Sequence, residues 1–206
     1  MPLRIADAAT AYPVSLAEAK AQLRVVDASN DVVIKALIPA ATKLVQSIVQ
    51  RVYARQTLEW VLTSWRRELL VPVAPVAIDD VSSIKYVDWT TQSMQTLDRA
   101  DYVVQTRGDS VAIFPRFGTC WPIVFAHSPE PIVVTFDAGY EPADVPENVK
   151  VAIMLQIRHL YSMGEANLTL RRDLVIGVGE KQYELRPEFA TMIPDAVTGL
   201  VLSEVW

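Results

Sequence analysis

The sequence contains a single cysteine, Cys120, among its 206 residues. An internal disulfide needs two cysteines, so a disulfide framework is excluded and the sequence fits a reducing compartment. Long apolar runs are also missing, because none reaches the roughly 18 consecutive apolar residues that a membrane helix needs. The first ten residues, MPLRIADAAT, lack a signal-peptide core. We therefore expect a soluble protein that is made in a cytoplasm and has no membrane partner.

Residue types that carry catalysis or bind metals are scarce. The two histidines, His127 and His159, have no second ligand at helical spacing, whereas a metal site needs three or four converging groups. Asp79 and Asp80 are adjacent, so their side chains diverge, and no further oxygen ligands follow them at loop spacing. Gly177-Val-Gly179 lacks the third glycine and the following helix of a nucleotide loop. The sequence predicts no catalytic residue, no cofactor and no metal, and we expect a protein that is not an enzyme.

The sequence also has no excess of positive charge, since its formal net charge is −5. Residues 1–53 carry six basic and four acidic side chains, residues 54–144 carry seven and twelve, and residues 145–206 carry six and eight. A protein that binds duplex DNA typically has a basic face. We therefore expect no tightly held nucleic acid.

Residues 30–51 contain a strong helical pattern. Apolar side chains recur three and four positions apart along one face, and Pro39 lies on the polar side, where it should kink the helix. Val33, Ala36 and Ala40 widen the apolar stripe beyond what one small partner would cover. We expect one side of this helix to pack within its own chain and a second side to contact another subunit. The main apolar stripe consists of Ile34, Leu37, Ile38, Ala41, Leu44, Val45, Ile48 and Val52.

Two further helices are predicted on either side of a β-rich region. A capping box, Ser15-Leu-Ala-Glu18, begins a short helix of about residues 16–24. A second such pattern, Asp144-Val-Pro-Glu147, begins a helix that we expect to end at Gly164. All three helices should share one core.

The region between these helices predicts β structure. From residue 55 to residue 140, short alternating segments are separated by prolines and turn clusters, which is typical of a small antiparallel sandwich or barrel. We therefore expect an α+β fold with three parts. A helical core domain comprises residues 1–54 and 141–166, an inserted β domain comprises residues 55–140, and residues 167–206 form an extended C-terminal tail.

The C-terminal tail is expected to dock onto a partner. Residues 167–194 have short apolar patches broken by charges, glycines and prolines, and this segment is long for a structureless loop in a compact domain. Residues 195–206 can form one short helix. Ordering the tail alone would cost about 1–2 kcal/mol per residue in backbone entropy. The apolar side chains that we expect at the partner interface are Leu168, Leu170, Val175, Ile176, Val201, Leu202 and Trp206.

Five motifs follow one another between about residue 13 and residue 165. They are Ser15-Leu-Ala-Glu-Ala-Lys-Ala-Gln-Leu-Arg-Val25, Tyr53-Ala-Arg-Gln-Thr57, Val134-Thr-Phe-Asp-Ala-Gly-Tyr140, Val145-Pro-Glu-Asn-Val-Lys-Val-Ala-Ile153 and Leu160-Tyr161. In their order and spacing they resemble the head–tail connector proteins of tailed bacteriophages and phage-like particles, which are also called adaptor or head-completion proteins. In that family a strand ends in Ala-Gly-Tyr and the next helix starts at Val-Pro.

The resemblance implies a structural virion protein of a phage, a prophage or a gene-transfer agent. Members of the family form a ring, typically dodecameric, below the portal protein, and the ring extends the DNA channel. The next ring on the tail side, a stopper or a tail terminator, docks on it. The resemblance therefore implies synthesis in a bacterial host, a location at the head–tail interface, and DNA that passes through without sequence-specific binding.

Two other classes of function stay open on the sequence alone. One is a β-sandwich ligand- or carbohydrate-binding module of a phage particle, because Trp60, Trp65, Trp89 and Trp121 fall in or beside the β region. Tryptophans in such positions more often pack in a core or an interface, and a glycan titration would discriminate. The other is an enzyme whose site is assembled from unremarkable residues, which activity screening would detect.

Overall fold

Two separate units make up the computed structural model, which describes residues 3–49, 51–165, 172–175, 179–182 and 194–202. The β unit comprises Met1–Ala11 and Gln50–Asp144, and the helical unit comprises Tyr12–Val49 and Val145–Trp206. The β strands and helices place the protein in the α+β class, as the sequence predicts.

The described residues of the β unit form eight strands. They are β1 (Leu3–Asp7), β2 (Gln56–Leu62), β3 (Leu69–Leu70), β4 (Val81–Val87), β5 (Met94–Thr96), β6 (Tyr102–Arg107), β7 (Ser110–Pro115) and β8 (Ile132–Ala138). One antiparallel sheet has the order β1-β2-β8-β4-β5, and a second has the order β3-β7-β6. Neither sheet closes on itself, so the expectation of a barrel is wrong and two open sheets remain.

The core of the β unit lies between these two sheets. Alternate residues of β2 and β8, such as Leu58, Trp60 and Phe136, are buried in one cluster with Val104 and Ile113 from the smaller sheet. Period-two alternation places such residues on one face of each strand, and their burial removes apolar surface from water. The alternation that predicted β structure therefore reflects this shared core.

Strand β1 was not predicted from the sequence, because residues 1–54 were assigned to the helical core domain. Leu3 and Ile5 lie opposite Trp60 and Leu58 of β2, so they share the core face of the sheet, yet they are 39% and 55% exposed. On the other face Arg4 donates to Glu59 over 2.6 Å. A five-residue alternation at a terminus is too short to identify as a strand before its partner is known.

The helical unit contains α1 (Leu16–Leu23), α2 (Asp31–Val49), α3 (Glu147–Glu165) and α4 (Asp195–Leu202), together with a hairpin of β9 (Arg172–Val175) and β10 (Gly179–Gln182). The predicted capping box is confirmed, since the Ser15 hydroxyl accepts from the Glu18 N–H and the Glu18 carboxylate accepts from the Ser15 N–H. Helix α1 ends at Leu23, and its C-cap residue, Arg24, adopts φ 58°.

Helices α1, α2 and α3 contact one another, which confirms that they share a core. Lys20 of α1 donates to Asp31 of α2 over 2.7 Å, and the Asn30 amide donates to the Tyr161 hydroxyl of α3 over 2.9 Å. Apolar burial contributes most of the packing energy, and the fully buried side chains include Ala19, Ile34, Ala41, Val45, Val149, Ala152, Ile153 and Ile157. Pro39 lies inside α2, as predicted.

Candidate interface surfaces

One face of α2 is covered by the helical unit and another is open. Ile34, Ile38, Ala41, Thr42 and Val45 are buried. By length and composition α2 could cross a membrane, with a mean hydropathy of 1.6 over its apolar window, but the core helix of a globular unit has the same properties. The contacts of α2 with α1, α3 and α4 show that one face of the helix packs within the helical unit.

The residues that were predicted to widen the apolar stripe lie on the open face of α2. Val33 is 51% exposed, and Ala36 and Ala40 are also exposed. Val32, which the sequence pattern did not single out, is 80% exposed. Three or four positions separate Val33, Ala36 and Ala40, so they form one continuous patch along the helix.

The predicted interface residues of the tail fall into different environments. Val201 of α4 is fully buried, whereas the adjacent Leu202 is 43% exposed. Val175 is the last residue of β9. The other four residues, Leu168, Leu170, Ile176 and Trp206, lie outside the described residues.

The burial of Val201 corrects one part of the sequence interpretation. Helix α4 contacts α2 and α3, and both Val197 and Val201 are fully buried there. The Asn148 amide also faces the Leu200 carbonyl oxygen at 3.5 Å. Val201 is therefore a core residue of the helical unit and not part of a partner interface. A pattern of apolar pairs cannot tell an intramolecular contact from an intermolecular one.

Two loops at one end of the β unit are held together by tryptophans. Trp65 and Trp121 stack with ring centroids 4.6 Å apart and planes 9° apart. The Trp65 indole N–H donates to the Pro122 carbonyl, and the Trp121 indole N–H donates to the Arg66 carbonyl, both over 2.8 Å. Stacking and two hydrogen bonds fix residues 63–67 against residues 115–122.

These two loops present an unusual set of exposed side chains, which we call the Arg–Phe loops. Residues 63–67 and 115–122 contain Arg66, Arg67 and Arg116 and no acidic residue, and all three arginines are exposed. Phe117, beside Gly118, is 103% exposed. This surface was not predicted from the sequence. The available signal is a Phe-Gly pair between two prolines, where a turn rather than a strand is expected.

An acidic corner lies elsewhere on the β unit. Arg55 donates to Asp80 over 2.7 Å, and its guanidinium is 3.8 Å from Asp137 and 3.5 Å from Glu141. The pKa of Arg55 is raised, first because of the hydrogen bond to Asp80 and despite partial desolvation. Asp79 is exposed beside this group. We define the acidic corner as Asp79, Asp80, Asp137 and Glu141.

The acidic corner is not a metal centre in this structure. Arg55 lies within 4 Å of Asp80, Asp137 and Glu141, and no group of three or more His, Cys, Asp or Glu side chains within the described ranges could hold a metal ion. His127 packs edge-on against Phe125, with ring centroids 5.6 Å apart, and the Ser162 hydroxyl donates to the backbone carbonyl of His159.

The tryptophans considered for ligand binding serve mainly to pack the β unit. Trp60 is 4% exposed, and Trp65 and Trp121 stack on each other. Trp89 is 53% exposed and contacts Phe125, with ring centroids 5.8 Å apart and planes tilted by 49°. Within the described residues the four tryptophans do not form one aromatic platform.

Comparison with solved structures identifies chains of similar fold that match 98% of this chain. A chain from the neck of an empty gene transfer agent (GTA) particle, computed with C6 symmetry, matches with a TM-score of 0.69 and 19% identity. A chain from the virion of a native gene transfer agent particle matches with a TM-score of 0.69 and 17% identity. A chain from the neck of the native particle, computed with C12 symmetry, matches with a TM-score of 0.61 and 19% identity. Each match covers 98% of this chain and 94% of the other.

The sequence comparisons give no match. No family profile matches the sequence, and no curated protein matches it. At 17–19% identity the structural likeness establishes a shared fold across nearly the whole of both chains.

Proposed function

We propose that this protein is a structural component of the neck of a phage-like particle, located in the virion where head and tail meet. The observation that carries the proposal is the shared fold, which extends over 98% of this chain and 94% of chains from gene transfer agent necks. A fold alone does not define a function. The sequence motifs that resemble head–tail connectors support the same conclusion independently.

The proposed assembly is a ring, with twelve subunits as its expected number, below the portal protein. The neighbours were determined in necks with C6 and C12 symmetry, and the family resemblance of the sequence implies a dodecamer. The portal protein would lie on the head side of the ring and the next tail-side ring on the other. DNA would pass through the channel without sequence-specific binding, which is compatible with the net charge of −5.

The open face of α2 is the first proposed subunit contact. Val33, Ala36 and Ala40 form an apolar patch that the chain's own helical unit leaves uncovered. Small side chains allow another backbone to approach closely, and burial of such a patch contributes about 25 cal/mol per Å² of apolar area. Leu202 is proposed as an additional apolar contact. The tail residues Leu168, Leu170, Val175, Ile176 and Trp206 stay proposed contacts with the portal or a neighbouring subunit.

Electron cryomicroscopy of particles from a producing strain tests the location and the ring. We expect density for this chain in a closed ring between portal and tail, and DNA-filled heads without tails when its gene is deleted. Portal, protease and capsid genes just upstream would give the same assignment. A chain that is absent from purified particles, or present only as two-fold dimers, would refute the proposal.

The α2 contact has its own test. Ala36→Glu places a charge in the patch and should reduce incorporation into particles. Ala17→Glu, at an alanine that is also exposed and lies in the first turn of α1, is the matched control and should incorporate normally, because an acidic residue is favourable there. Equal incorporation of both variants would exclude the α2 face as an interface.

The ligand-binding alternative is tested by titration. If the protein is instead a carbohydrate-binding module, a glycan array should yield saturable binding that is lost in Trp89→Ala, since Trp89 is the most exposed of the four tryptophans discussed above. The neck proposal predicts no such binding.

A further inference from the structure

The Arg–Phe loops and the acidic corner lie at opposite ends of the same sheet. At one end Gln56 of β2 pairs with Ala138 of β8, and Phe136 pairs with Val81 of β4. At the other end Ile132 of β8 pairs with both Leu62 and Tyr86. Arg55, Asp80 and Asp137 adjoin the first end, and residues 63–67 follow directly from the second. Seven residues at about 3.3 Å per residue separate the two ends by about 20 Å.

The path of β7 places Phe117 at the second end too. The chain enters β7 at Ser110, whose hydroxyl donates to the Val71 carbonyl, and the preceding Asp109 carbonyl accepts from Val76 N–H near the acidic corner. It leaves at Pro115 and reaches Trp121, which is stacked on Trp65. Phe117 is therefore on a loop that is fixed at both sides and is directed away from the core.

The two ends are complementary in charge. The Arg–Phe loops carry three arginines and no carboxylate, and among the described residues none of the three arginines is in an ion pair. The acidic corner has three carboxylates within 4 Å of Arg55, and Asp79 adds a fourth next to Asp80 in the sequence, so the net charge with Arg55 included is −3. Complementary charges fix the register of a contact and speed association.

Each end also has an exposed apolar side chain among its charges. Phe117 is 103% exposed beside Arg116, and Ile78, which directly precedes Asp79, is 40% exposed. Aromatic and arginine side chains are enriched among the residues that dominate binding energy at protein interfaces. A charged rim around an apolar centre is the usual arrangement of such a contact.

We propose that the Arg–Phe loops of one subunit dock on the acidic corner of a second copy of this chain. The two surfaces differ and lie at opposite ends of one unit, so the contact is head-to-tail. Head-to-tail contacts produce closed rings when the rotation between copies closes and open filaments when it does not. This inference rests on the proposed function, since it assigns the contact that would close the proposed ring.

Charge reversal at each end provides the test, read out as the amount of this chain in purified particles. Variant A is Arg66→Glu/Arg67→Glu and variant B is Asp79→Lys/Glu141→Lys. These side chains are exposed, and the Asp80 and Asp137 partners of Arg55 are retained. Each variant alone should lose incorporation by about tenfold or more, because like charges then meet at every contact.

Expression of A and B together should restore incorporation. The reversed loops of A then meet the reversed corner of B, and the native loops of B meet the native corner of A, so both kinds of contact are complementary in an alternating ring. Phe117→Ala should also reduce incorporation without any change of charge. Lys85→Glu/Arg158→Glu is the matched control with two reversed exposed charges, and it should incorporate normally. Thermal unfolding of every variant checks that it folds.

The outcomes separate the two proposals. If the wild-type chain is absent from particles, the proposed function fails. If the wild type, A and B all incorporate equally, the function stands and the contact between copies is wrong. If folded A and B each fail to incorporate and the mixture fails as well, the two ends contact a different protein, such as the portal or the next ring, and the assignment to a second copy is overturned.

Discussion

Gly139 lies directly against the backbone of Ala54, such that a Cβ atom on Gly139 would be 2.8 Å from both the carbonyl carbon and the carbonyl oxygen of Ala54. Gly139 adopts φ +108°, and its N–H donates to the Pro75 carbonyl over 3.1 Å. The next residue, Tyr140, forms an isolated parallel bridge with Ala54. The glycine after β8 therefore permits a close approach of two backbone segments that no other residue type allows.

Replacement of Gly139 by alanine should destabilise the β unit by about 2–4 kcal/mol, because the positive φ and the overlap with immobile backbone add together. Urea unfolding followed by circular dichroism measures the change. Gly118→Ala is the matched control, since Gly118 adopts φ +82° with nothing within 4 Å of its would-be Cβ atom, and it should cost only about 1 kcal/mol for the positive φ. Equal losses would show that the contact with Ala54 is unimportant.

The Gly139 contact illustrates what the sequence could and could not predict. The Ala-Gly-Tyr motif was identified by its resemblance to a known family. Glycine is required in this motif because of a contact with residue 54, and no local sequence pattern contains that contact. Helices α1, α2 and α3 were predictable because caps and apolar spacing are local signals. The acidic corner and the Arg–Phe loops were not predictable, because each is assembled from segments far apart in the chain. Val201 was misassigned because burial depends on which surface α4 meets.

The Trp65–Trp121 stack should set the stability of the Arg–Phe loops. Trp121→Ala removes the ring contact and the hydrogen bond to the Arg66 carbonyl, and we expect a loss of about 2–3 kcal/mol, below the range for a fully buried tryptophan. Trp121→Phe keeps an aromatic ring and should lose only about 1 kcal/mol for the missing hydrogen bond. Chemical unfolding monitored by near-ultraviolet circular dichroism distinguishes the two. A Trp121→Ala variant as stable as wild type would contradict the role of the stack.

The Ser15–Glu18 capping box should make the helical unit sensitive to acid. The pKa of Glu18 is lowered, mainly by the hydrogen bond from the Ser15 hydroxyl and then by the bond from its backbone N–H. Because the folded pKa is below the unfolded value of about 4.3, the stabilisation is fully present above that pH and is lost as the pH falls through the folded pKa.

Urea unfolding of Glu18→Gln at pH 7 and at pH 3 tests this coupling. The variant keeps the cap and loses only the carboxylate charge, so it should be less stable than wild type at pH 7 by about 0.3–1 kcal/mol, and the difference should shrink at the lower pH. Glu147→Gln is the control, because Glu147 has an 85% exposed side chain that bonds only Lys150 among the described residues. A difference for Glu18→Gln that does not change with pH would exclude the carboxylate as its source.

Adjacent residues of α4 should have separable roles. Val201 is fully buried against the helical unit, so Val201→Ala removes buried methyl groups and should destabilise it by about 2 kcal/mol. Leu202 is 43% exposed, so Leu202→Ala should change stability by less than about 0.5 kcal/mol. Thermal and urea unfolding of the two full-length variants measure both effects.

Incorporation into particles should be more sensitive to Leu202→Ala than to Val201→Ala, which is the reverse of their effects on stability. Leu202→Ala should reduce incorporation into particles if Leu202 contacts a partner, whereas Val201→Ala should incorporate whenever it is folded.

A chain that ends at residue 193 should unfold at a lower temperature than the full chain, because Val197 and Val201 no longer cover α2 and α3. A truncated chain with unchanged thermal unfolding would show instead that α4 adds nothing to the core, and the tail would then act only as a docking segment.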